Sequence, residues 1–364
     1  MKKTASKTKS PAIVTFFVIA AFNLLAFSII GCSPHGSGDS PPPPPPAPNV
    51  PQVYVVGYEE TGGVQKAKYW LNGTPKILFN YGDATFATSI FVVGTDVYVA
   101  GYEYDTGIYT AVYWKNNERF VLSWNSTYAM ATSIFVSGND VYVAGFANEG
   151  GGVKAMYWKN FTAVPLTNGV NNATASSIVV AGNNVYVAGS ELSGTRSVAK
   201  YWKNGTPVIL GIGTNWTESN SIFVSGSDVY VAGTEIATKG MAKYWKNGTA
   251  HTLTNGSVVA EALSIFVSGN DVYVAGFEEI GPNATAKYWK NGSPVVLSNS
   301  GNESQVNSIF VSGTDVYAAG YERVPISPGS PSSVYIIKFW KNGIATPLST
   351  GHGVFEQATD IFIK

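Results

Sequence analysis

The chain has 364 residues, of which 13% are charged, about half the share of roughly 25% that is usual for soluble domains. The net charge is zero, but four lysines precede the first acidic residue, and without them 19 basic residues stand against 23 acidic ones. A basic surface of the kind that binds nucleic acid is therefore not expected. Aromatic residues make up 13% of the chain, and with 39 glycines and 19 prolines they favour short strands joined by turns.

The first 31 residues have the layout of a secretory signal peptide. A basic start, Met1 to Lys9, precedes an apolar run from Ala12 to Ile30. The run ends in Ile29-Ile30-Gly31-Cys32, which resembles the lipobox of bacterial lipoproteins. This resemblance implies that Cys32 becomes the first residue of the mature protein and carries the lipid that anchors it to a membrane.

Two other interpretations of this segment are a transmembrane anchor and an ordinary cleaved signal, since the run is long enough to span a bilayer. Cys32 is the only cysteine in the chain, so it has no disulfide partner within it. Lipidation explains a single cysteine at this position. The residue after it is Ser33 rather than Asp, which favours the outer membrane of the cell envelope if the source is Gram-negative.

Residues 32–51 are predicted to be a tether. Six consecutive prolines, Pro41 to Pro46, favour a polyproline II helix. At ~3.1 Å per residue, about eleven such residues hold the next domain roughly 35 Å from the lipid. The alternative is a proline-rich ligand for a partner domain.

From residue 52 onward the chain repeats itself. One tryptophan recurs in each unit, and the successive spacings are 44, 44, 44, 43, 44 and 51 residues. The seven repeat tryptophans are Trp70, Trp114, Trp158, Trp202, Trp245, Trp289 and Trp340. A period near 44 is typical of four-stranded β-propeller blades.

Each unit is predicted to contain four antiparallel strands, called A to D. In the sixth unit these are residues 265–267, 272–275, 286–290 and 294–297. Asn291-Gly292 joins strands C and D, and this pair is a strong signal for a type I′ hairpin turn. The Val-Tyr-Val-Ala-Gly strand followed by a downstream aromatic residue and tryptophan resembles kelch-like propeller repeats.

The two ends of residues 52–364 complement each other. The first unit begins with strand B at Val53, and the chain ends with an isolated strand A within Thr359–Lys364. This predicts an all-β, seven-bladed propeller whose ring is closed when the C-terminal strand pairs into the first blade.

Antiparallel strands place the A–B and C–D turns on one face of the disc and the B–C and D–A connections on the other. The turns repeat with little change, whereas the second face differs in every blade. Function usually lies on such variable connections. Four aromatic residues on this face are candidate ligand-binding residues. They are two tryptophans outside the repeat and two tyrosines, namely Trp124, Trp216, Tyr104 and Tyr128. The alternative is that these tryptophans pack between blades.

Other recurring residues favour structural roles. An Asp recurs in the A–B turns, as at Asp96, and Asx-turn formation explains it better than a calcium site. A Glu after strand B and a Lys before the tryptophan, as at Glu59 and Lys68, suggest cross-strand ion pairs, with a cation-binding ring of Glu as the alternative. No catalytic residues, metal ligands or cofactor are predicted, because the three histidines are isolated.

The sequence thus predicts a monomeric, membrane-anchored lipoprotein whose propeller is a non-enzymatic binding module for a glycan or a protein. One alternative is a polysaccharide-acting hydrolase or lyase with its site on the variable face. Another is a purely structural protein of the cell envelope.

Overall fold

The computed structural model describes residues 50–79, 81–124, 126–211, 213–298, 300–327, 330, 332–351 and 356–364. The predicted signal peptide, the lipid-attachment residue Cys32 and the polyproline run lie outside these residues. The described part is built from 28 strands that form seven four-stranded antiparallel sheets. It contains no helix, and so none that is long and apolar enough to cross a membrane.

Each sheet is one blade, and strands A to D follow one another from the channel outwards. Blade 1 takes its strand A from the end of the chain, and blades 2 to 7 follow in sequence. The A strands are β4 (Ala84–Val93), β8 (Ala129–Ser137), β12 (Ala173–Ala181), β16 (Trp216–Ser225), β20 (Ala260–Ser268), β24 (Ser304–Ser312) and β28 (Gln357–Ile363). The B strands are β1 (Val53–Thr61), β5 (Asp96–Asp105), β9 (Asp140–Asn148), β13 (Asn184–Ser193), β17 (Asp228–Ile236), β21 (Asp271–Ile280) and β25 (Asp315–Pro325).

The outer half of each blade holds the C and D strands. The C strands are β2 (Val64–Leu71), β6 (Ile108–Lys115), β10 (Val153–Lys159), β14 (Arg196–Lys203), β18 (Gly240–Lys246), β22 (Asn283–Lys290) and β26 (Ser333–Lys341). The D strands are β3 (Thr74–Ile77), β7 (Glu118–Val121), β11 (Thr162–Pro165), β15 (Thr206–Ile209), β19 (Thr249–Thr252), β23 (Ser293–Val296) and β27 (Ile344–Pro347).

The predicted ring closure is confirmed. Strand β28 pairs with β1 in antiparallel register, from Val53 opposite Ile363 to Tyr58 opposite Gln357. Successive A strands also contact one another all the way round, including β24 with β28 and β28 with β4. The ring is therefore held shut by a strand that comes from the far end of the chain.

The repeat tryptophans fill the spaces between blades. All seven are at most 2% exposed. Trp114, for example, belongs to a buried cluster with Tyr54 and Val56 of the preceding blade. Burying a side chain of this size contributes roughly 1.5–3 kcal/mol or more, so the tryptophan period reflects the packing of each blade against the one before it.

The glycine that ends the Val-Tyr-Val-Ala-Gly motif is required by close packing. A Cβ at Gly101 would lie 2.0 Å from the carbonyl oxygen of Phe86 and 2.9 Å from the ring of Trp114. Gly101 faces strand A beside a bulge at Thr88, where the extra residue bends the strand. The equivalent bulge in blade 6 breaks the apolar alternation of its strand A. For this reason the strand was predicted at 265–267, whereas the observed strand is longer, at Ala260–Ser268.

The bulges line a narrow central channel with a polar cavity of about 140 Å³. In six blades the bulge side chain is polar and bonds to a carbonyl of the next blade; Thr88, for example, donates to Ala131 at 3.0 Å. The series crosses the ring closure, where Thr359 donates to Ala87 at 2.9 Å. It is interrupted at Leu263, which has no donor. This belt ties neighbouring blades together at the axis.

Candidate functional site

The face that carries the A–B and C–D turns, here called the turn face, is held by a repeated ionic cluster. In blade 2, Asp96 accepts a hydrogen bond from Asn116 at 2.8 Å and pairs with Lys115 at 2.9 Å. These contacts, the Asn116 bond foremost, hold the pKa of Asp96 below its usual value. Equivalent Asp–Lys pairs recur at Asp140, Asp228, Asp271 and Asp315.

The Asx-turn interpretation of these aspartates is therefore wrong. In the described residues their carboxylates bind the adjacent C–D turn rather than the backbone of their own turn. The Asn of that turn has a positive φ, 50° at Asn116, as the hairpin signal predicted. Its side-chain oxygen in turn accepts a hydrogen bond from the N–H of Val97 at 2.9 Å. The turn face is thus fully engaged in joining strands.

The opposite face, here called the loop face, consists of longer strands and shorter connections than predicted. The segment 104–109, predicted as a loop, continues β5 and β6, with Tyr104 opposite Tyr109 and a two-residue turn at Thr106-Gly107. Trp216, predicted in a D–A loop, is the first residue of strand β16. Side chains on this face are therefore placed by strand register.

The predicted Glu–Lys pairs are confirmed in five blades. Each joins strand B to strand C of the same blade: Glu59–Lys68, Glu191–Lys200, Glu235–Lys243, Glu278–Lys287 and Glu322–Lys338. Burial opposes the ionisation of Glu322, but the bond from Lys338 and its neighbours outweigh burial and lower the pKa of this carboxyl. These glutamates are paired, which leaves no ring of free carboxylates.

Blade 2 departs from this pattern. Its Glu103 is only 2% exposed, and the position of the missing lysine holds the buried Val112. The partner is instead Arg119 of strand β7, whose Nε donates to both carboxylate oxygens at 2.8 and 2.9 Å. The guanidinium also lies over the ring of Tyr81, 4.8 Å from its centroid. Glu103 thus fixes Arg119 at the outer edge of the loop face.

Arg119 forms part of the wall of a cavity of about 370 Å³. The described residues that line it are Tyr81, Ile108, Thr110, Arg119, Val121, Ser123, Trp124, Ser126 and Thr127. The indole of Trp124 is 80% exposed. None of these residues is acidic. The cavity therefore combines an apolar ring with the remaining N–H donors of Arg119 and several hydroxyl groups.

Ser123 and Thr127 bond to the upper half of β6, because strand β7 covers only its lower half. The Ser123 hydroxyl accepts from the N–H of Ala111 at 3.0 Å, and the Thr127 carbonyl accepts from that of Tyr109 at 3.2 Å. In contrast, the hydroxyls of Thr110 and Thr127 bond to no other described residue. They are available to a ligand in the cavity.

Next to Thr127, aromatic rings form a continuous row across blade 2, from Tyr128 to Phe86. Ring centroids are 5.4 Å apart for Tyr128 and Tyr109, 4.9 Å for Tyr109 and Tyr104, and 6.1 Å for Tyr109 and Tyr102. Tyr102 stacks on Phe86 at 4.7 Å. Burial in this row raises the pKa of Tyr102 well above its ordinary value, so its hydroxyl is neutral. The row packs the loop face of blade 2 and includes Tyr128, which contacts Tyr109 edge to face.

The four tentative ligand-binding residues do not form one group. Trp124, Tyr128 and Tyr104 belong to the upper part of blade 2, with Tyr128 38% exposed. Trp216 is 43% exposed but lies in blade 5, three blades away round the ring. The exposure of Trp124 argues against its packing between blades. The cavity residues Tyr81 and Arg119 were missed, although Glu103 without its lysine was a signal for a different partner.

The described part of the chain offers little else that could bind a metal ion or a ligand. It contains no group of three or more His, Cys, Asp or Glu residues placed to hold a metal ion. A second cavity on the loop face, about 220 Å³ beside Glu303 and Arg323, has no aromatic ring among its described lining residues. A third cavity, about 440 Å³ beside Glu191, is lined by Trp202, which is buried between blades. The cavity of blade 2 presents the exposed ring of Trp124 and is the candidate binding site.

Comparisons with known proteins support the fold. No protein-family model matches the chain, and no curated protein does. The β-propeller domain of the trilobed protease from Pyrococcus furiosus is 9% identical over 83% of this chain and 93% of that one, with a TM-score of 0.51. That propeller has an open velcro topology, whereas here β28 closes the ring on β1.

TolB from Acinetobacter baumannii is 10% identical, covering 66% of this chain and 62% of its own, with a TM-score of 0.47. This chain thus spans about three fifths of the length of TolB. At 9% identity, the propeller of the trilobed protease shows a shared β-propeller architecture and nothing about activity.

Proposed function

We propose that the protein is a non-enzymatic binding module that holds a glycan in the cavity of blade 2. The observation that carries this proposal is Trp124, which stands 80% exposed at a cavity with unpaired hydroxyl and guanidinium donors. The C–H face of a sugar ring is apolar and packs on an aromatic ring, while its hydroxyls need hydrogen-bond partners around the edge. A protein ligand fits less well, because the apolar area around Trp124 is small.

The lining of the cavity also favours binding over catalysis. Hydrolysis of a glycosidic bond usually requires two carboxyl groups that flank it. The carboxylate that contacts the cavity wall, Glu103, is buried, and both of its oxygens accept hydrogen bonds from Arg119. A polysaccharide hydrolase or lyase would need acidic groups that none of the described lining residues provides.

Replacing Trp124 with Ala should weaken glycan binding about tenfold or more, the equivalent of roughly 1.4 kcal/mol, while changing stability by no more than about 0.5 kcal/mol. The reason is that an exposed ring contributes to the ligand contact but little to packing. The measurement is binding of the full chain in detergent to a glycan and cell-wall fragment array, followed by calorimetry and a thermal melt.

Trp216→Ala is the matched control, since Trp216 is also exposed but lies in blade 5. It should leave the affinity unchanged. Equal losses in both variants, or no glycan bound by the unmodified protein, would rule out the blade 2 cavity as the site.

We also propose that Cys32 carries a lipid and that the proline-rich segment spaces the propeller from the membrane, with the outer membrane as its location in a Gram-negative source. The lipobox-like Ile29-Ile-Gly-Cys32 supports this proposal, as does the absence of any other cysteine. We also propose that the repeats are kelch-like, because the Val-Tyr-Val-Ala-Gly strand and the downstream tryptophan resemble kelch units.

Changing Cys32 to Ser should remove the site of acylation. We expect the variant to appear in the soluble fraction and to lose labelling by a fatty-acid probe, because a side chain without a thiol cannot take the lipid. Ser33→Ala serves as a control that should stay anchored. Retention of both membrane association and label in the Cys32 variant would contradict the proposal.

A further inference from the structure

The guanidinium of Arg119 has one edge that no described residue occupies. Its Nε and Nη2 atoms donate the hydrogen bonds to Glu103, which approaches the guanidinium from the side. Arginine has five N–H donors in a planar fork, so three remain, two on Nη1 and one on Nη2. None of the residues that the structure describes accepts a bond from Nη1. These three donors lie at the end of the side chain, where a pair of them matches the two oxygens of a carboxylate.

Strand register places the hydroxyl of Thr110 next to this edge. Glu103 is directly opposite Thr110 in the β5–β6 pairing, so their side chains are neighbours on one face of the sheet. Arg119 is opposite Trp114 in the β6–β7 pairing. Because side chains alternate along a strand, Trp114 and Thr110 share a face, and Arg119 reaches Glu103 across it. Thr110 and Arg119 both line the cavity, so the hydroxyl and the guanidinium are neighbours in its wall.

The charges around the cavity favour a negatively charged group, but only moderately. None of the described lining residues is acidic. Glu103 balances the charge of Arg119 at a distance, and Asp105 lies on the same face of β5, two residues beyond Glu103. A group that bonds directly to the free N–H donors still makes charge-assisted hydrogen bonds. We therefore expect an acidic ligand to bind about tenfold more tightly than its neutral counterpart, rather than by several orders of magnitude.

The single guanidinium also indicates which anion fits. A carboxylate carries one charge on two coplanar oxygens, which match two parallel N–H bonds. A phosphate carries nearly two charges at neutral pH, and the described lining contains no Lys or His that would supply a second positive charge. In a uronic acid the carboxylate is attached directly to the sugar ring. One sugar can therefore place its ring on Trp124 and its carboxylate on Arg119, because both residues line the same cavity.

We propose that the glycan held in the blade 2 cavity is acidic, and that a uronic acid carboxylate accepts hydrogen bonds from the free edge of Arg119 and from Thr110. This inference rests on the proposed glycan-binding function and names the class of glycan. Trp124 supplies the apolar contact with the sugar ring, whereas Arg119 and Thr110 discriminate between acidic and neutral sugars. Glu103 is a positioning residue, because it holds the guanidinium in place and is itself buried.

The test compares each acidic oligosaccharide with its own methyl ester, which keeps the sugar rings and removes the charge. Oligomers of galacturonic, glucuronic and mannuronic acid, their methyl esters and a sulfated oligosaccharide are titrated into the full chain in detergent and followed by calorimetry. We expect at least one uronide to bind about tenfold or more tightly than its ester. This ratio of affinities should fall as salt is added, because salt screens the interaction of the two charges.

The Glu103→Gln, Arg119→Gln double variant removes both charges together, so that no unpaired charge is left in the interior. The ratio of uronide to ester affinity should fall to about one in this variant, since the charged donor is gone. Glu303→Gln, Arg323→Gln is the matched control, because it removes another Glu–Arg pair of the loop face, and it should keep the ratio. Thr110→Val should weaken uronide binding about twofold to tenfold, the equivalent of one hydrogen bond.

Equal affinities for uronide and ester would overturn the inference while leaving the glycan cavity in place. Tightest binding of the sulfated oligosaccharide would overturn the carboxylate assignment, as would a ratio that persists in the Glu103, Arg119 double variant. Circular dichroism shows whether that variant is folded; if it is not, the ratio in the unmodified protein and the loss in Thr110→Val decide. If no glycan binds, neutral or acidic, the proposed function itself fails and the inference fails with it.

Discussion

Deleting residues 359–364 is expected to abolish the folded ring rather than merely to shorten it. The deletion removes most of β28, including Ile361 and Ile363, which are 3% and 5% exposed. Burial of each such side chain contributes roughly 1.5–3 kcal/mol, and the ladder to β1 and the bonds of Thr359 are lost as well. The total is comparable with the whole stability of a typical domain, about 5–15 kcal/mol.

The deletion also leaves the edge of β1 unpaired and uncovers the surface of β24 that β28 contacts. Such edges promote aggregation. Size-exclusion chromatography and circular dichroism should therefore show loss of the monomer peak and of the cooperative melt. Replacement of the exposed Lys364 with Ala is the control, because it keeps all of β28 and the backbone bonds between Lys364 and Gln52. A deletion variant that stays monomeric and melts like the full chain would mean that another strand closes blade 1.

The architecture could be predicted because the same sequence signals recur in every blade. The tryptophan period, the Asn-Gly turns and the isolated strand A at the C-terminus are local signals whose packing meaning does not depend on distant residues. Trp114 is buried for the same reason as Trp158, so one interpretation accounts for seven blades. The pairing of β28 with β1 followed from the missing strand A in the first unit.

The loop face was harder to predict because it lacks this repetition. The segment 104–109 has no recurring pattern, which is typical of a loop. In the structure, however, Tyr104 and Tyr109 pair across a two-residue turn. Whether such a segment is strand or loop depends on the partner strand and the neighbouring blade. These contacts involve residues elsewhere in the chain, so the sequence of the segment does not indicate them.

The candidate site could be predicted in part. Trp124 was identified because it breaks the repeat, and the structure places it at a cavity. Trp216 gave the same signal but begins a strand in another blade. Arg119 was missed because its role depends on Glu103, 16 residues away on a different strand. A departure from the repeat indicates which blade differs from the others. Which residues form a site there depends on how the side chains pack in the structure.

The side chain of Asp360 is expected to contribute strongly to ring closure. Its position is a serine in the other six blades, as at Ser89 and Ser308. Oδ1 accepts bonds from the Ser308 hydroxyl at 2.6 Å and the N–H of Ile361 at 2.9 Å. Oδ2 accepts from the Ser89 hydroxyl at 2.9 Å and the N–H of Ile90 at 3.0 Å. One carboxyl thus joins blades 7, 1 and 2 at the closure.

Asp360→Ala should destabilise the protein by about 2–6 kcal/mol, because two backbone N–H groups lose their acceptor at about 1–3 kcal/mol each while the serine hydroxyls can turn elsewhere. Chemical denaturation measures this change. Thr132→Ala, which removes one belt bond within a continuous part of the ring, is a control with a smaller expected loss of about 0.5–1.5 kcal/mol. Equal losses would mean that Asp360 contributes no more to stability than one ordinary bond of the belt.

The pH dependence of the same residue has a definite sign. Burial raises the pKa of Asp360 above its ordinary value, although the four donors favour the charged form and oppose this. A carboxyl whose pKa is higher in the folded state binds its proton more tightly there, so its contribution to stability is complete below the unfolded pKa near 4. That contribution is lost as the pH rises through the folded-state pKa.

Asp360→Asn isolates this effect, because Asn has nearly the same size and does not titrate in this range. Other carboxyls, such as Glu322, titrate in both proteins and cancel in the difference. We expect the free energy of unfolding of the unmodified protein, minus that of the Asn variant, to be greatest at about pH 4 and to fall as the pH rises. Denaturation curves collected between about pH 4 and 8 measure it. A difference that grows with pH would show that the four donors outweigh burial and that Asp360 is held as a carboxylate at the closure of the ring.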